Sequence, residues 1–268
     1  MRTVVLAGFA VLLSMSTPSA AEDLVLLHAA GSLRGVLTDI AGKFEAATGA
    51  RVQAKFGASG LLKDEIAAGA KAEVFASANL EHPQALALAK RSGPVIPFAR
   101  NKLCALVRPG LAVEPASLLD RMLDPQIKLG TSTPRADPSG DYAWEMFRKA
   151  DKVKPGAYAQ LDKKALQLTG GPASPPPPPG RSVYGMLVAQ GDADIFLTYC
   201  TNALAAQKEN PAQRIVALPE QLAVAADYGM TVMNDAPASA YKFALFILSA
   251  DGQRLLVEHG FAAPGTAP

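Results

Sequence analysis

The stretch from Leu24 to Ser77, LVLLHAAGSLRGVLTDIAGKFEAATGARVQAKFGASGLLKDEIAAGAKAEVFAS, alternates between two kinds of pattern. Leu24 to Ala30 is an apolar run that reads as a buried strand. Leu33 to Ala47 then sets Leu33, Val36, Leu37, Ile40 and Phe44 on one helical face, with Gly49 beyond as a stop. The unit repeats: Arg51 to Phe56 alternates as a strand, Leu61 to Ala68 is helical and ends at Gly69, and Glu73 to Ser77 is a third strand. Neighbouring strands joined through helices run the same way, so this order predicts a largely parallel α/β sheet with right-handed crossovers.

Upstream of this stretch, Met1 and Arg2 precede an apolar run from Val4 to Leu13, which gives way to small and polar residues from Ser14 to Ala21. A core of about ten residues is half of what a membrane-spanning helix needs, and Ser19-Ala20-Ala21 is a small-residue cleavage site. Residues 1–21 are therefore expected to be a cleaved signal peptide, with the mature protein in the periplasm. No Cys lies near that site to carry a lipid. The remaining chain of about 245 residues is long enough for one large domain or two ordinary lobes.

Downstream, Ser92-Gly93-Pro94 breaks the pattern and a second series begins. Strands are expected at Leu103 to Val107, Ile127 to Gly130, Asp194 to Tyr199 and Arg214 to Leu218, with helices from Tyr142 to Lys149 and Tyr184 to Gln190. Two similar series predict two lobes. Tyr228 to Met233, followed by helices at Ala238 to Leu248 and Gly252 to His259, fits the pattern of either one. Pro175 to Pro179, closed by Gly180, reads as a short polyproline strut or a solvated loop.

Composition narrows the function. The formal net charge is +2 and the basic residues are dispersed, so no groove for nucleic acid is expected. The histidines are His28, His82 and His259, and none sits beside a matching acid motif; His28 reads as a partly buried strand residue and His82, before Pro83, as a loop. Gly57-Ala58-Ser59-Gly60 lacks the spacing of a nucleophile elbow, so no enzyme is expected. Cys104 and Cys200, without clustered His, make a poor metal site; in an oxidising compartment they either pair or stay as separate buried thiols.

The chemistry lies where strands turn into helices. Gly31-Ser32, Gly57-Ala58-Ser59-Gly60, Pro138-Ser139-Gly140 and Gly180-Arg181-Ser182-Val183 each precede or open an expected helix. Unpaired N–H groups and the positive end of the helix dipole make each start a donor for an anion, and Gly lets a ligand approach the backbone. A single Ser at such a position ordinarily caps its helix. Two starts in each series form the arrangement by which two lobes would surround an anion.

These residues carry a resemblance. His28-Ala29-Ala30-Gly31-Ser32-Leu33, Phe56-Gly57-Ala58-Ser59-Gly60 and Ala72-Glu73-Val74-Phe75-Ala76-Ser77-Ala78 resemble the N-terminal lobe of periplasmic molybdate-binding proteins. Asp137-Pro138-Ser139-Gly140-Asp141-Tyr142, the helix opened by Val183, Ile195-Phe196-Leu197-Thr198-Tyr199 and the ending from Gly252 to Phe261 are similar as well, so the resemblance spans nearly the whole mature chain.

The resemblance implies an ABC-transporter substrate-binding protein of the type II periplasmic binding fold, with its ligand cleft between two α/β lobes. Residues 23–98 with 227–268 would form the first lobe and 99–226 the second. The implied ligand is a tetrahedral oxyanion, molybdate or tungstate, held by Ser32, Ser59, backbone N–H groups of Ser139 and Val183, and the Tyr199 phenol, all neutral donors. No cofactor and no direct metal ligand is implied. The implied partners are that anion and the membrane permease of an ABC importer, with the protein a monomer. Arg181 would either point into the cleft toward a larger anion or sit on the surface. Sulfate, phosphate, a carboxylate or a metal chelate remain alternatives, because the same donors serve several anions. In this topology the strands of Cys104 and Cys200 would be antiparallel neighbours, close enough for a disulfide.

Overall fold

The computed structural model describes residues 24–175 and 180–266; the expected signal peptide and Pro176 to Pro179 lie outside them. The first series is β1 (Leu24–Ala30), α1 (Arg34–Thr48), β2 (Arg51–Gly57), α2 (Ser59–Ala67), β3 (Val74–Ser77) and α3 (Glu81–Leu88). Strands β2 and β3 both run parallel to β1. On α1 the buried residues are Val36, Leu37, Ile40, Ala41 and Phe44, the face set by the sequence periodicity, and Gly49 ends the helix at φ +76° with its N–H donating to the Glu45 carbonyl. Phe44 meets Phe243 edge-on at 5.2 Å, which docks α1 against α9 (Ala238–Leu248). His82 is a correction: with Pro83 it lies in the first turn of α3, where a missing N–H costs nothing.

A long strand, β4 (Ile96–Val107), leads into the second series: α4 (Leu118–Leu123), β5 (Leu129–Ser132), α5 (Pro138–Val153), α6 (Ala157–Lys164), β6 (Leu166–Thr169), α7 (Val183–Gln190), β7 (Ile195–Tyr199), α8 (Cys200–Glu209) and β8 (Arg214–Ala217). Here β6 and β7 both run parallel to β5. Helix α5 starts at Pro138, four residues before the expected Tyr142, because Asp137 caps it and Pro is favoured in the first turn. The chain closes with β9 (Ala225–Val232), α9 and α10 (Ala250–Glu258).

The two parallel triplets are joined by the antiparallel pair β4 and β9, giving the strand order β2-β1-β3-β9-β4-β7-β5-β6 with β8 also on β4. The sheet is thus less parallel than the sequence order predicts. Ile96 to Lys102 of β4 pair with β9, while Leu103 to Val107 pair with β7 and β8. Hydrogen bonding therefore passes from one triplet to the other through the β9 and β4 pair, with β4 bonded to β9 along its first half and to β7 along its second. The C-terminal stretch joins the first triplet: β9 pairs with β3, and Ala262 bridges back to Arg100. No helix among the described residues is long and apolar enough to cross a membrane.

Candidate ligand-binding site

The ends of β1 and β2, the starts of α2 and α7, the end of β7 and the turn after β6 face one cleft of about 680 Å³. Ser32, Ser59, Val183 and Tyr199 all line it, as do Arg181 and the glycines Gly31, Gly57, Gly170 and Gly171. The structure brings four of the five expected donors together. Ser139 stands just behind the cleft wall, fully buried, while its neighbour Asp137 lines the cleft.

The four helix starts are not equivalent. At the third, the Asp137 carboxylate accepts the Ser139 N–H at 3.1 Å, so that N–H already serves the helix cap. At the fourth, Ser182 caps α7 by accepting from Gly185 N–H at 3.2 Å. The first two Ser are not caps. Ser32 Oγ lies 2.9 Å from the Tyr228 phenol, and Ser59 Oγ accepts the Ala78 N–H at 3.2 Å from the end of β3. Both hydroxyls are thus oriented by neighbouring elements instead of being consumed by their own helices. Gly60 N–H, at the start of α2, donates to the Ala136 carbonyl at 2.9 Å, which ties the first series to the loop before α5. A side chain at Gly60 would strike the carbonyls of Arg135 and Ala136, so only Gly permits this approach.

Tyr199 ends β7 with 2 % of its surface exposed, and its hydroxyl has no hydrogen-bond partner among the described residues. A buried hydroxyl left unpaired costs about 1–3 kcal/mol, so this group is available to a ligand at a gain. Its ring is held edge-on by Tyr142 at 6.2 Å and by Tyr228 at 5.5 Å. Burial, and then the neighbouring phenols, push the Tyr199 hydroxyl far above its ordinary titration range, so it remains a neutral donor. The residue that follows, Cys200, is disulfide-bonded to Cys104 on β4, with Cα atoms 4.9 Å apart. Because β4 and β7 pair antiparallel, with Leu103 opposite Tyr199, the bridge closes next to the phenol.

Arg181 pairs with Glu209 at 3.0 Å, and its side chain is 61 % exposed, a surface ion pair at the rim. Arg34, also on the rim, lies 4.7 Å from the centre of the Phe56 ring. Sequence reasoning missed Arg34, Asn202 and the Thr169-Gly170-Gly171 turn as parts of the cleft wall, whereas Asp137, near the third helix start, is the acid that keeps a protonated anion such as phosphate open as a ligand. That last turn repeats the pattern of the other four, a hydroxyl and glycines after a strand, and was open to the same reading. His28 is buried on β1 and does not line the cleft, whereas His259 does, with Nε2 2.8 Å from Asp39. Among the described residues no group of three or more His, Cys, Asp or Glu side chains could hold a metal ion.

Residues 25–262 match the family described as bacterial extracellular solute-binding protein. The chain is 32% identical over 212 residues to PM1146 of Pasteurella multocida, covering 79% of this chain and 87% of that one. It is 26% identical over 263 residues to the molybdate-binding protein ModA of Mycobacterium tuberculosis, covering 94% and 89%. The fold superposes on the periplasmic molybdate-binding protein of Azotobacter vinelandii with a TM-score of 0.71, at 18% identity over 90% of this chain and 99% of that one. It superposes on the sulfate-binding protein SubI of Mycobacterium tuberculosis with a TM-score of 0.75, at 18% identity over 90% and 87%. The architecture is the two-lobed type II fold of periplasmic binding proteins. With the family matched along nearly all of the described residues, the chain belongs to the bacterial extracellular solute-binding proteins.

Proposed function

We propose that this protein captures a tetrahedral oxyanion, molybdate or tungstate, in the periplasm and hands it to the membrane permease of an ABC importer. The observation that carries the reading is the buried Tyr199 hydroxyl, without a partner among the described residues, on a cleft that Ser32, Ser59 and the Val183 end of α7 also line. These are neutral donors. A dianion taken out of water is stabilised by fixed dipoles and helix N-termini, without burying a long flexible cation against it. In this reading residues 23–98 with 227–268 and residues 99–226 are the two lobes that close on the anion, and the protein acts as a monomer. Ser139 can join the ligand set through its N–H only if Asp137 yields it; its hydroxyl, which has no partner among the described residues, is the alternative contact.

A second reading, the same cleft serving another anion, is favoured by its size and rim. A volume of about 680 Å³ lies in the range of small-molecule pockets, and Arg34 and Arg181 offer charge to a larger ligand. Thermal shift and calorimetry of the mature protein with molybdate, tungstate, sulfate, phosphate and small carboxylates separate the two. A ligand at a hundredfold excess over its Kd should add about 2.7 kcal/mol of stability. Stabilisation by phosphate or a carboxylate and not by molybdate or tungstate would overturn the first reading.

A further inference from the structure

We infer that Asp137 shares a proton with the bound anion, so that the cleft takes a fully deprotonated dianion only together with one proton. This deepens the oxyanion reading above and rests on it. Among the described residues two carboxylates line the cleft, Asp137 and Glu209. Glu209 is matched: it accepts from Arg181 at 3.0 Å and from the Ser182 N–H at 2.6 Å. Asp137 has no cation within ion-pair distance among the described residues. One of its oxygens accepts the Ser139 N–H, and the nearby Ser132 hydroxyl favours the ionised carboxyl. The other oxygen, Oδ2, is seated on Gly170, where an added Cβ would fall 2.5 Å from it. The φ of +74° at Gly170 and the absence of a side chain there make room for the carboxyl at the cleft wall.

The charged group that acts on Asp137 is itself negative. Helix α5 brings Asp141, whose own carboxylate is occupied by the Arg135 N–H at 2.8 Å. Tyr184 from α7 and the phenols of Tyr199 and Tyr228 from β7 and β9 feel the Asp137 charge, and none of them can neutralise it. Ser132 on β5 and Thr169 at the end of β6 offer hydroxyls, hydrogen-bonded to each other at 3.0 Å. Burial first, and then the Asp141 charge, push the Asp137 carboxyl up to about 6. A dianion entering the cleft adds further negative charge beside it, and two unprotonated acids that close cannot both stay ionised. The balance is simple: one proton leaves the solvent, binds a carboxylate oxygen of Asp137, and the resulting O–H donates to an oxygen of the anion. Monohydrogen phosphate brings its own proton and donates it to the ionised carboxylate, so its binding takes up none. Asp137 thus sets which protonation states of an anion the cleft accepts.

The test is calorimetry of the mature protein at pH 8 with molybdate and with sulfate, each in two buffers of different protonation enthalpy. The difference in heat counts the protons taken up. We expect about one proton per anion bound, and an affinity that falls about tenfold per pH unit above neutrality. Asp137→Asn should take up none and bind with little dependence on pH, since its amide keeps an oxygen for the Ser139 N–H and offers an N–H to the anion. The wild-type proton count needs no variant, so a poorly folding Asn protein would leave the test intact. Either dianion bound by the wild-type protein without proton uptake, at an affinity flat from pH 6 to 9, would overturn the inference. Absence of molybdate binding at every pH would overturn the molybdate assignment instead, and the sulfate proton count would still decide the role of Asp137.

Discussion

Ser32 Oγ, just beyond the end of β1, lies 2.9 Å from the Tyr228 phenol on β9, and Asn101 on β4 donates to that same phenol at 3.4 Å. With Asn101 supplying a hydrogen, the phenol is left to donate its own to Ser32, and the Ser32 hydrogen is freed to point into the cleft. Tyr228→Phe should therefore weaken anion binding by about 0.5–1.5 kcal/mol, the worth of one neutral hydrogen bond. In a Ser32→Ala background the same change should do almost nothing. A double-mutant cycle by calorimetry measures the difference.

Tyr199→Phe and Ser59→Ala should each weaken the anion by about 1.5–3 kcal/mol, the range for one hydrogen bond to a charged group. Tyr199→Phe should leave the melting temperature of the free protein unchanged or raise it, because the hydroxyl it removes has no partner among the described residues. Arg181→Ala is the control and should alter molybdate affinity little, since that side chain is exposed and paired with Glu209. Titration of the three variants side by side checks the ranking.

The disulfide should be visible in solution as the absence of alkylation in denatured, unreduced protein, with two groups added after reduction. Its 96-residue separation sets an upper value of about 4.7 kcal/mol for the stabilisation by chain entropy. Cys104→Ala with Cys200→Ala should lower the denaturation midpoint and also loosen anion binding, because the bridge anchors the residue next to Tyr199. Equal affinity in the bridged and unbridged proteins would show that β7 positions the phenol unaided.

Asp137 carries a signature in the free protein as well. Its carboxyl titrates near 6 when folded, above its ordinary value of 3.8, so the folded state holds that proton more tightly. The group's contribution is therefore most favourable below pH 4 and is lost as pH rises through 6. Asp137→Asn removes the loss, and should raise stability at pH 7.5 by at most about 3 kcal/mol while changing it little at pH 4. Urea denaturation at the two pH values reads this directly.

Much of this was legible in the residues. The apolar run of β1 and the face of α1 announce a buried strand and its covering helix, and the Gly-Ser turns point to Ser32 and Ser59. Other parts carry signals that are weak or contrary. Helix α8 begins at Cys200 directly after β7, with no glycine, proline or capping side chain between them, so the sequence runs through the boundary without a mark. Strand β6 is four residues long and its first two are exposed, too short for an alternation to register. Arg100-Asn101-Lys102 hid the first half of β4, yet Asn101 is buried there because Thr201 and Tyr228 satisfy its amide. Asp137 is legible only as an acceptor for an anion that carries its own proton, because a carboxylate repels a dianion unless a proton lies between them.

The sharing of β4 and β9 between the triplets sets an order on synthesis. When β1, β2 and β3 have been made, the outer edge of β3 has no partner, because the strand that covers it, residues 225–232, comes about 150 residues later. The second triplet, by contrast, can pair with β4 as soon as β7 arrives. The half of the molecule encoded first is thus completed last, and a nascent chain carries an open sheet edge through most of its elongation. Such a topology, rich in distant contacts, folds slowly and is vulnerable to aggregation while it waits.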